Sequence, residues 1–173
     1  MNHPANSDVD TDVPQRTVGI GEYDTTDEGA RLVSFGLGSC LGVALFDLRA
    51  GVGGLIHIKR PSISGKTTTK KSMFADAGIS VLCSKLEASG ASRGDISAKM
   101  AGGADMWNFT HGSSGDPASI GDRNIQAATD TLDELDIPIV AKDVGGDEHR
   151  SVCFVGSTGE LIVELGSDDC YSI

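Results

Sequence analysis

Two short apolar segments joined by a turn constrain the fold of this chain most strongly. Residues 40–46 (CLGVALF) and 51–57 (GVGGLIH) are rich in branched and apolar side chains. Segments of this length and composition favour strands over helices. A four-residue turn over 47–50 would join them as an antiparallel hairpin with Phe46 opposite Gly51.

This register predicts a reactive pair of side chains. It places Cys40 directly opposite His57 on one face of the hairpin, with Cβ atoms about 4.5–5.5 Å apart. A slip of one residue would put the two side chains on opposite faces. A thiolate attacks carbonyl carbon, and a neighbouring imidazole takes the thiol proton and returns it to the departing nitrogen. The hairpin therefore predicts Cys40 as nucleophile and His57 as its base.

The segment before Cys40 supplies two further candidate elements. Gly36 and Gly38 let the backbone turn tightly with little side-chain bulk. Amide N–H groups of this loop, from Gly36 through Ser39 to Cys40, are predicted to face a developing oxyanion. Ser34 is the candidate third group that orients the imidazole.

The pair also has an ordinary structural interpretation. A cysteine after a glycine-rich segment is commonly a small buried hydrophobic residue, and a histidine on a strand is commonly a satisfied core residue. From the residues alone, both interpretations of Cys40 and His57 stay open. Asn124, polar beside an apolar segment, is equally open between orienting the site's loops and an ordinary surface position.

The rest of the chain predicts an α+β fold. Helical spacing indicates one helix from a cap at Ser72 to a stop at Gly90, and a second over 125–135. Short strand-like segments lie between and around them, which predicts an antiparallel-sheet-rich single domain with flanking helices. We expect a loop over 107–118. The predicted division is a disordered acidic tail over 1–15, the domain over 16–166 and a C-terminal tail over 167–173.

Charge and composition exclude several classes of function. The chain carries 25 acidic and 14 basic residues, a formal net charge of −11, so nucleic acid is an unfavourable partner. It lacks a secretory signal pattern and an apolar stretch long enough for a membrane span, which predicts a cytoplasmic protein. The four cysteines form no CxxC pair and the histidines have no ligand spacing, so neither a metal nor another cofactor is predicted.

The sequence around the predicted pair resembles the CheD family of chemoreceptor glutamine deamidases. The resemblance rests first on GLGSCLGVALFD followed by GGLIHIKRP. It continues in the family's order over about residues 17–165, through the segments VGIGEY, KMAGGADM, IGDRN and DVGGDEHRS.

The resemblance implies a fold, a site and a reaction. The family's catalytic cysteine and histidine match Cys40 and His57, and Ser34 stands where the family has a threonine. The implied fold is an α/β sandwich without metal. The implied substrate is a glutamine side chain on a receptor's cytoplasmic helical bundle, hydrolysed through a thioester, and receptor methyl esters are a second implied substrate. A CheC-type phosphatase is the implied partner.

Two questions remain open at this stage. A basic cluster after His57 is predicted to steer an acidic receptor helix, although a solvated loop would look the same. Its members are Lys59, Arg60, Lys66, Lys70 and Lys71. The chain could also be a regulatory module that docks on the phosphatase with little catalysis. A lowered thiol pKa at Cys40 would favour the enzyme.

Overall fold

The computed structural model describes residues 12–27, 29–106, 118–167 and 169–173. Most of the predicted tail and nearly all of the predicted loop over 107–118 lie outside these residues. The described residues contain two α-helices, α1 (Ala75–Ala88) and α2 (Ile120–Glu134). They also contain ten strands: β1 (Gln15–Thr17), β2 (Tyr23–Thr26), β3 (Arg31–Leu37), β4 (Leu41–Asp47), β5 (Val52–Ile58), β6 (Ser97–Gly102), β7 (Ile139–Val144), β8 (Arg150–Val155), β9 (Glu160–Leu165) and β10 (Cys170–Ser172).

The strands form two stacked sheets. The outer sheet has the order β1-β3-β8-β9-β10, and the central sheet has the order β2-β5-β4-β6-β7. Pairing is antiparallel except for β1 with β3 and β6 with β7. The predicted antiparallel-rich α+β fold is therefore confirmed. Both helices pack on one face of the central sheet, and the outer sheet covers its other face.

Alternation along β4 separates two apolar layers. Leu41, Val43 and Leu45 point to the helices, whereas Ala44 and Phe46 point to the outer sheet. We call the first layer the helix-side core; it also contains Ile56, Ile58, Ile79, Leu82, Cys83, Leu86, Ala128 and Leu132. We call the second layer the inter-sheet core; it also contains Leu32, Leu37, Leu55, Val152, Phe154, Leu161 and Val163.

The hairpin forms, but its predicted register is wrong by two residues. Phe46 lies opposite Gly53, and Gly42 rather than Cys40 lies opposite His57. The Asp47 carboxylate accepts hydrogen bonds from the backbone N–H of Arg49 and of Ala50 at 2.9 and 3.0 Å, which closes the turn from the end of β4. Position 51, a glycine with φ of +70°, therefore belongs to the turn. A shift of two residues preserves the face of every side chain.

The start of α1 also differs from the prediction. Ser72 lies in a short 3-10 turn and does not cap the helix; its hydroxyl donates to the carbonyl oxygen of Gly21 at 2.5 Å. The residue before α1 is Phe74, whose extended backbone carries no capping side chain. By contrast, α2 begins with a reciprocal capping box between Ser119 and Asp122.

Both predicted tails contain pairing residues. Gln15, the last residue assigned to the N-terminal tail, pairs with Arg31 in β1. Residues assigned to the C-terminal tail form β10 instead, because the exposed edge of β9 offers unpaired backbone groups. The backbone of Ile173 exchanges two hydrogen bonds with Leu161, which extends this pairing. No helix among the described residues has the length and apolarity needed to cross a membrane.

Candidate active site

The two sheets bring Ser34 and His57 into contact. Ser34 lies on β3 of the outer sheet and His57 on β5 of the central sheet, and both are buried. The hydroxyl oxygen of Ser34 lies 2.7 Å from Nδ1 of His57. Because neighbouring Ile56 and Ile58 point into the helix-side core, alternation turns His57 toward the outer sheet. Thus two of the three residues predicted for catalysis meet across the stacked sheets.

A second hydrogen bond fixes the tautomer of the imidazole. The Ser34 hydroxyl lies 2.8 Å from the carbonyl oxygen of Val18, which can only accept, so the hydroxyl proton is directed there. The hydroxyl oxygen must then accept from Nδ1–H of His57. Neutral His57 is accordingly protonated at Nδ1 and carries a lone pair at Nε2. This Nε2 is buried and has no hydrogen-bond partner among the described residues.

Cys40 lies at the same side of the central sheet as the imidazole. It is half-buried, immediately precedes β4 and packs against the inter-sheet core. The residue opposite His57 in the hairpin is Gly42, where a Cβ would lie 3.2 Å from Cδ1 of Leu37 and 3.5 Å from Cγ2 of Val152. No hydrogen bond among the described residues joins the Cys40 thiol to His57, so the thiol and the Nε2 lone pair share a side of the sheet without a hydrogen bond between them.

Burial governs the electrostatics of both groups. Burial raises the pKa of the Cys40 thiol, and the nearby charge of Lys59 only partly offsets it by lowering the pKa. Burial likewise lowers the pKa of His57, against a smaller opposing effect of the Val18 carbonyl. The resting pair is thus a neutral thiol and a neutral imidazole. The lowered thiol pKa that would favour the enzyme is not found in this arrangement, because burial of the sulfur outweighs the positive charge of Lys59.

The loop before Cys40 is held by the end of β6. The carbonyl oxygens of Gly38 and Cys40 each accept a hydrogen bond at 2.8 Å, from the N–H groups of Ala104 and Gly103 respectively. Gly102, with φ of +111°, is needed here because a Cβ would collide with the carbonyl oxygen of Cys40. The glycine pair Gly102-Gly103 at the end of β6 therefore supports the backbone around the sulfur.

The structure narrows the predicted oxyanion donors. Gly36 has φ of +67° and is exposed; it lies in β3, where the pairing register with β8 shifts between Ser34 and Leu37. The N–H of Gly38 donates to the carbonyl oxygen of Gly36 at 3.0 Å and is unavailable to a substrate. The N–H groups of Ser39 and Cys40 donate to no acceptor among the described residues. These two amides remain the candidate donors.

Asn124 is buried at this site, which the sequence left undecided. It lies on α2 with no exposed surface, and Nδ2 donates to the carbonyl oxygens of Ser39 at 2.7 Å and Lys59 at 3.2 Å. The segment IGDRN was one signal of its importance. Burial could not be read from that segment because only the docking of α2 on the central sheet encloses the side chain.

The basic cluster is exposed throughout. Lys59 is the member whose charge lowers the pKa of Cys40. Lys70 lies farther along, beside Gly21, where it lines an open groove together with Glu22 and Asp24. Arg60 is positioned through its backbone, which pairs with the segment before α1. Lys66 and Lys71 are exposed.

Comparisons with known proteins identify similar sequences over most of the chain. Residues 59–165 match the family model described as CheD chemotactic sensory transduction, a match that begins after His57. A Haloarcula marismortui protein named probable chemoreceptor glutamine deamidase CheD is 42% identical over 161 residues, covering 92% of this chain and 91% of that protein. Proteins with the same name from Clostridium tetani and Clostridium botulinum are 41% and 38% identical; they cover 86% and 88% of this chain and 89% and 94% of their own lengths.

Among solved structures, the Bacillus licheniformis hypothetical protein YfiH resembles this chain with a TM-score of 0.47 at 12% identity. The likeness covers 70% of this chain and 49% of that one.

Proposed function

We propose that this chain, which belongs to the CheD family, is a chemoreceptor glutamine deamidase with Cys40 as its nucleophile. The observation that carries the proposal is the hydrogen bond between Ser34 and Nδ1 of His57. It leaves the Nε2 lone pair at the side of the sheet where Cys40 lies. A buried base in a fixed tautomer beside a thiol suits acyl transfer.

The first half of the reaction forms a thioester. Nε2 of His57 takes the proton of the Cys40 thiol as the sulfur attacks the side-chain carbonyl carbon of glutamine. The tetrahedral intermediate carries its negative charge on the former carbonyl oxygen, facing the loop amides. The carbon–nitrogen bond then breaks, and the imidazolium returns the proton to nitrogen, which leaves as ammonia.

The second half restores the enzyme. His57 takes a proton from water as the water oxygen attacks the thioester carbonyl carbon. The carbon–sulfur bond breaks, the sulfur recovers its proton, and glutamate is released. Because burial keeps the resting pair neutral, His57 must remove the thiol proton in every turnover.

We also propose a second activity through the same acyl-enzyme, the hydrolysis of methyl esters, together with a substrate and a compartment. A glutamate methyl ester would form the identical thioester and release methanol in place of ammonia. We propose the cytoplasmic helical bundle of a receptor as substrate and the cytoplasm as the compartment. Charge complementarity supports a protein substrate, since the exposed basic cluster follows directly on the strand that carries His57.

The basic cluster is tested by replacing its five cations with glutamine. We expect kcat/KM on receptor to fall about tenfold at low ionic strength, with the loss shrinking as salt screens the charges. Glutamine at the exposed Lys85 and Lys142, elsewhere on the surface, is the control. If kcat/KM at low salt is unchanged when all five cations are replaced, the cluster is a solvated loop that does not steer the receptor.

A regulatory module is the second candidate function. In it, the chain docks on a CheC-type phosphatase and Cys40 contributes little chemistry. The raised pKa of the Cys40 thiol favours this reading over one with a preformed thiolate. The two roles are compatible in one protein, so the decisive test concerns catalysis.

Mass spectrometry of a receptor cytoplasmic fragment provides that test. The wild-type protein should convert specific glutamines to glutamate, and Cys40→Ala and His57→Ala should lower the rate by at least about 10³-fold. Cys83→Ala, which removes a thiol from the helix-side core, should retain the activity. Full deamidation by Cys40→Ala would refute the nucleophile assignment, and an inactive wild-type protein that binds the phosphatase would favour the regulatory module.

A further inference from the structure

We propose that Asn124 is a positioning residue that aims the N–H of Cys40 at the substrate's carbonyl oxygen. This inference rests on the proposed deamidase function. It assigns to a side chain on α2 the orientation of the peptide group between Ser39 and Cys40. That peptide group contains one of the two remaining candidate oxyanion donors.

The hydrogen bonds of Asn124 define how its amide is oriented. Nδ2 lies 2.7 Å from the carbonyl oxygen of Ser39 and 3.2 Å from that of Lys59. Both partners can only accept, so the amide nitrogen must be the atom that faces them. Ser39 precedes the nucleophile by one residue, and Lys59 follows the base by two. One buried side chain therefore joins the segment of Cys40 to the strand of His57.

Peptide geometry converts the first of these bonds into an orientation of Cys40. A trans peptide group is planar, and its C=O and N–H point in opposite directions. The described residues contain no cis peptide bond. Since the carbonyl of Ser39 points to Asn124, the N–H of Cys40 points away from α2. It donates to no acceptor among the described residues, as an oxyanion donor should before substrate binds.

The next peptide group is fixed independently. The carbonyl oxygen of Cys40 accepts from the N–H of Gly103 at 2.8 Å. Hydrogen bonds thus hold the backbone on both sides of the nucleophile, one from a side chain and one from the end of β6. Only the bond from Asn124 can be removed by substitution without altering the main chain.

The acceptor end of Asn124 shows that this side chain is not there merely to fill the core. Its Oδ1 is buried and accepts no hydrogen bond from the described residues. A buried carbonyl without a partner is unfavourable, and an apolar residue would fill a core position without that cost. The amide is therefore explained by its two donated bonds.

Two substitutions test the proposal. Asn124→Ala removes the donor, and Asn124→Asp keeps the shape but places a carboxylate opposite two carbonyl oxygens. We expect kcat for receptor deamidation to fall about 10- to 100-fold, somewhat less than for complete loss of an oxyanion donor. KM should stay within about threefold. Thr131→Val on the same helix is the control, because the buried Thr131 hydroxyl donates to the carbonyl oxygen of Ala127 within α2.

Alkylation of Cys40 separates positioning from a general structural effect. Iodoacetamide alkylates the Cys40 sulfur by losing iodide, a reaction that develops no oxyanion. The alkylation rate of both variants should therefore stay within about threefold of wild type. A parallel fall of alkylation and kcat would overturn the proposal, as would an unchanged kcat. Activity of the wild-type protein is measured first, so failure of the deamidase function itself is seen separately.

A measurement on the wild-type protein covers the case in which the variants do not fold. The probe is a receptor peptide with an aldehyde in place of the target carboxamide. The Cys40 sulfur adds to the aldehyde carbon and gives a hemithioacetal. Its oxygen occupies the proposed position of the oxyanion. We expect a downfield shift of the Cys40 amide proton in the nuclear magnetic resonance spectrum. An unshifted Cys40 amide in the adduct would refute the proposal.

Discussion

Two cysteines on opposite sides of the central sheet have similar thiols and different surroundings. Cys83 lies on α1 in the helix-side core with no exposed surface, and Cys40 lies beside the inter-sheet core and is half-buried. Burial raises the pKa of both thiols. Cys40 has access to solvent and an imidazole lone pair at its side of the sheet. Reactivity therefore depends on which side of one sheet a thiol occupies, since a raised pKa is common to both.

On β5, neighbouring residues belong to the two different sides of the central sheet. Along β5, Ile56 and Ile58 enter the helix-side core, and His57 between them turns to the other side. The helix-side core around Ile56 and Ile58 is apolar packing, which tolerates hydrophobic substitutions of similar volume. At the inter-sheet side, by contrast, the buried Ser34 and His57 depend on each other for hydrogen bonding.

The largest expected contrast is in alkylation of the two thiols. Iodoacetamide should modify Cys83 at least about 10³-fold more slowly than Cys40, because exposing a core helix costs about 5 kcal/mol or more. Peptide mapping by mass spectrometry distinguishes the sites, with the exposed Cys170 as the fast reference. Equal rates at Cys40 and Cys83 would show that the two sides do not differ in access.

Truncating one leucine on each side compares stability with activity. Leu82→Ala in the helix-side core and Leu32→Ala on β3 should each lower the free energy of unfolding by about 2–5 kcal/mol. Only Leu32→Ala should also lower kcat in the folded protein, because β3 carries Ser34. Urea unfolding and receptor deamidation measure the two effects, and a kcat loss confined to Leu82→Ala would contradict the comparison.

The hydroxyl of Ser34 is expected to matter more than its size. Ser34→Ala removes the acceptor for Nδ1–H of His57 and should lower kcat about 10- to 100-fold. Ser34→Thr keeps the hydroxyl and restricts its rotamer, so activity should be retained. Deamidation rates of the two variants provide the measurement. Equal activity of Ser34→Ala and wild type would show that the Ser34 hydroxyl is not needed for catalysis.

The smallest expected effect is the pH dependence. Burial lowers the pKa of His57, so kcat/KM should hold at neutral pH and fall only as pH drops below about 6.5, when the base becomes protonated. Burial raises the pKa of Cys40, so its alkylation rate should rise with pH through a midpoint above about 8.5. A midpoint below neutral pH for alkylation of Cys40 would indicate a thiolate–imidazolium ion pair and contradict the predicted neutral pair.

The sequence predicted the strands that carry the site better than it predicted their alignment. The length and apolar composition of the two segments were sufficient to identify β4 and β5 as strands. The register depended on the Asp47 side chain closing the turn, and a two-residue error there left the sides unchanged. Burial of Asn124 could not be predicted, because it arises from contacts between segments about 65 and 85 residues apart.

The hydrogen bond between Ser34 and His57 joins two strands that are expected to fold at different times. The β4–β5 hairpin closes over a short turn, whereas β3 pairs with β8 only after about 120 intervening residues are available. We expect pulsed hydrogen exchange during refolding to protect the hairpin amides before those of β3 and β8. In a newly made chain, the His57 imidazole would then lack its hydrogen bond until β3 docks. The Cys40 thiol would have no oriented base until folding is nearly complete.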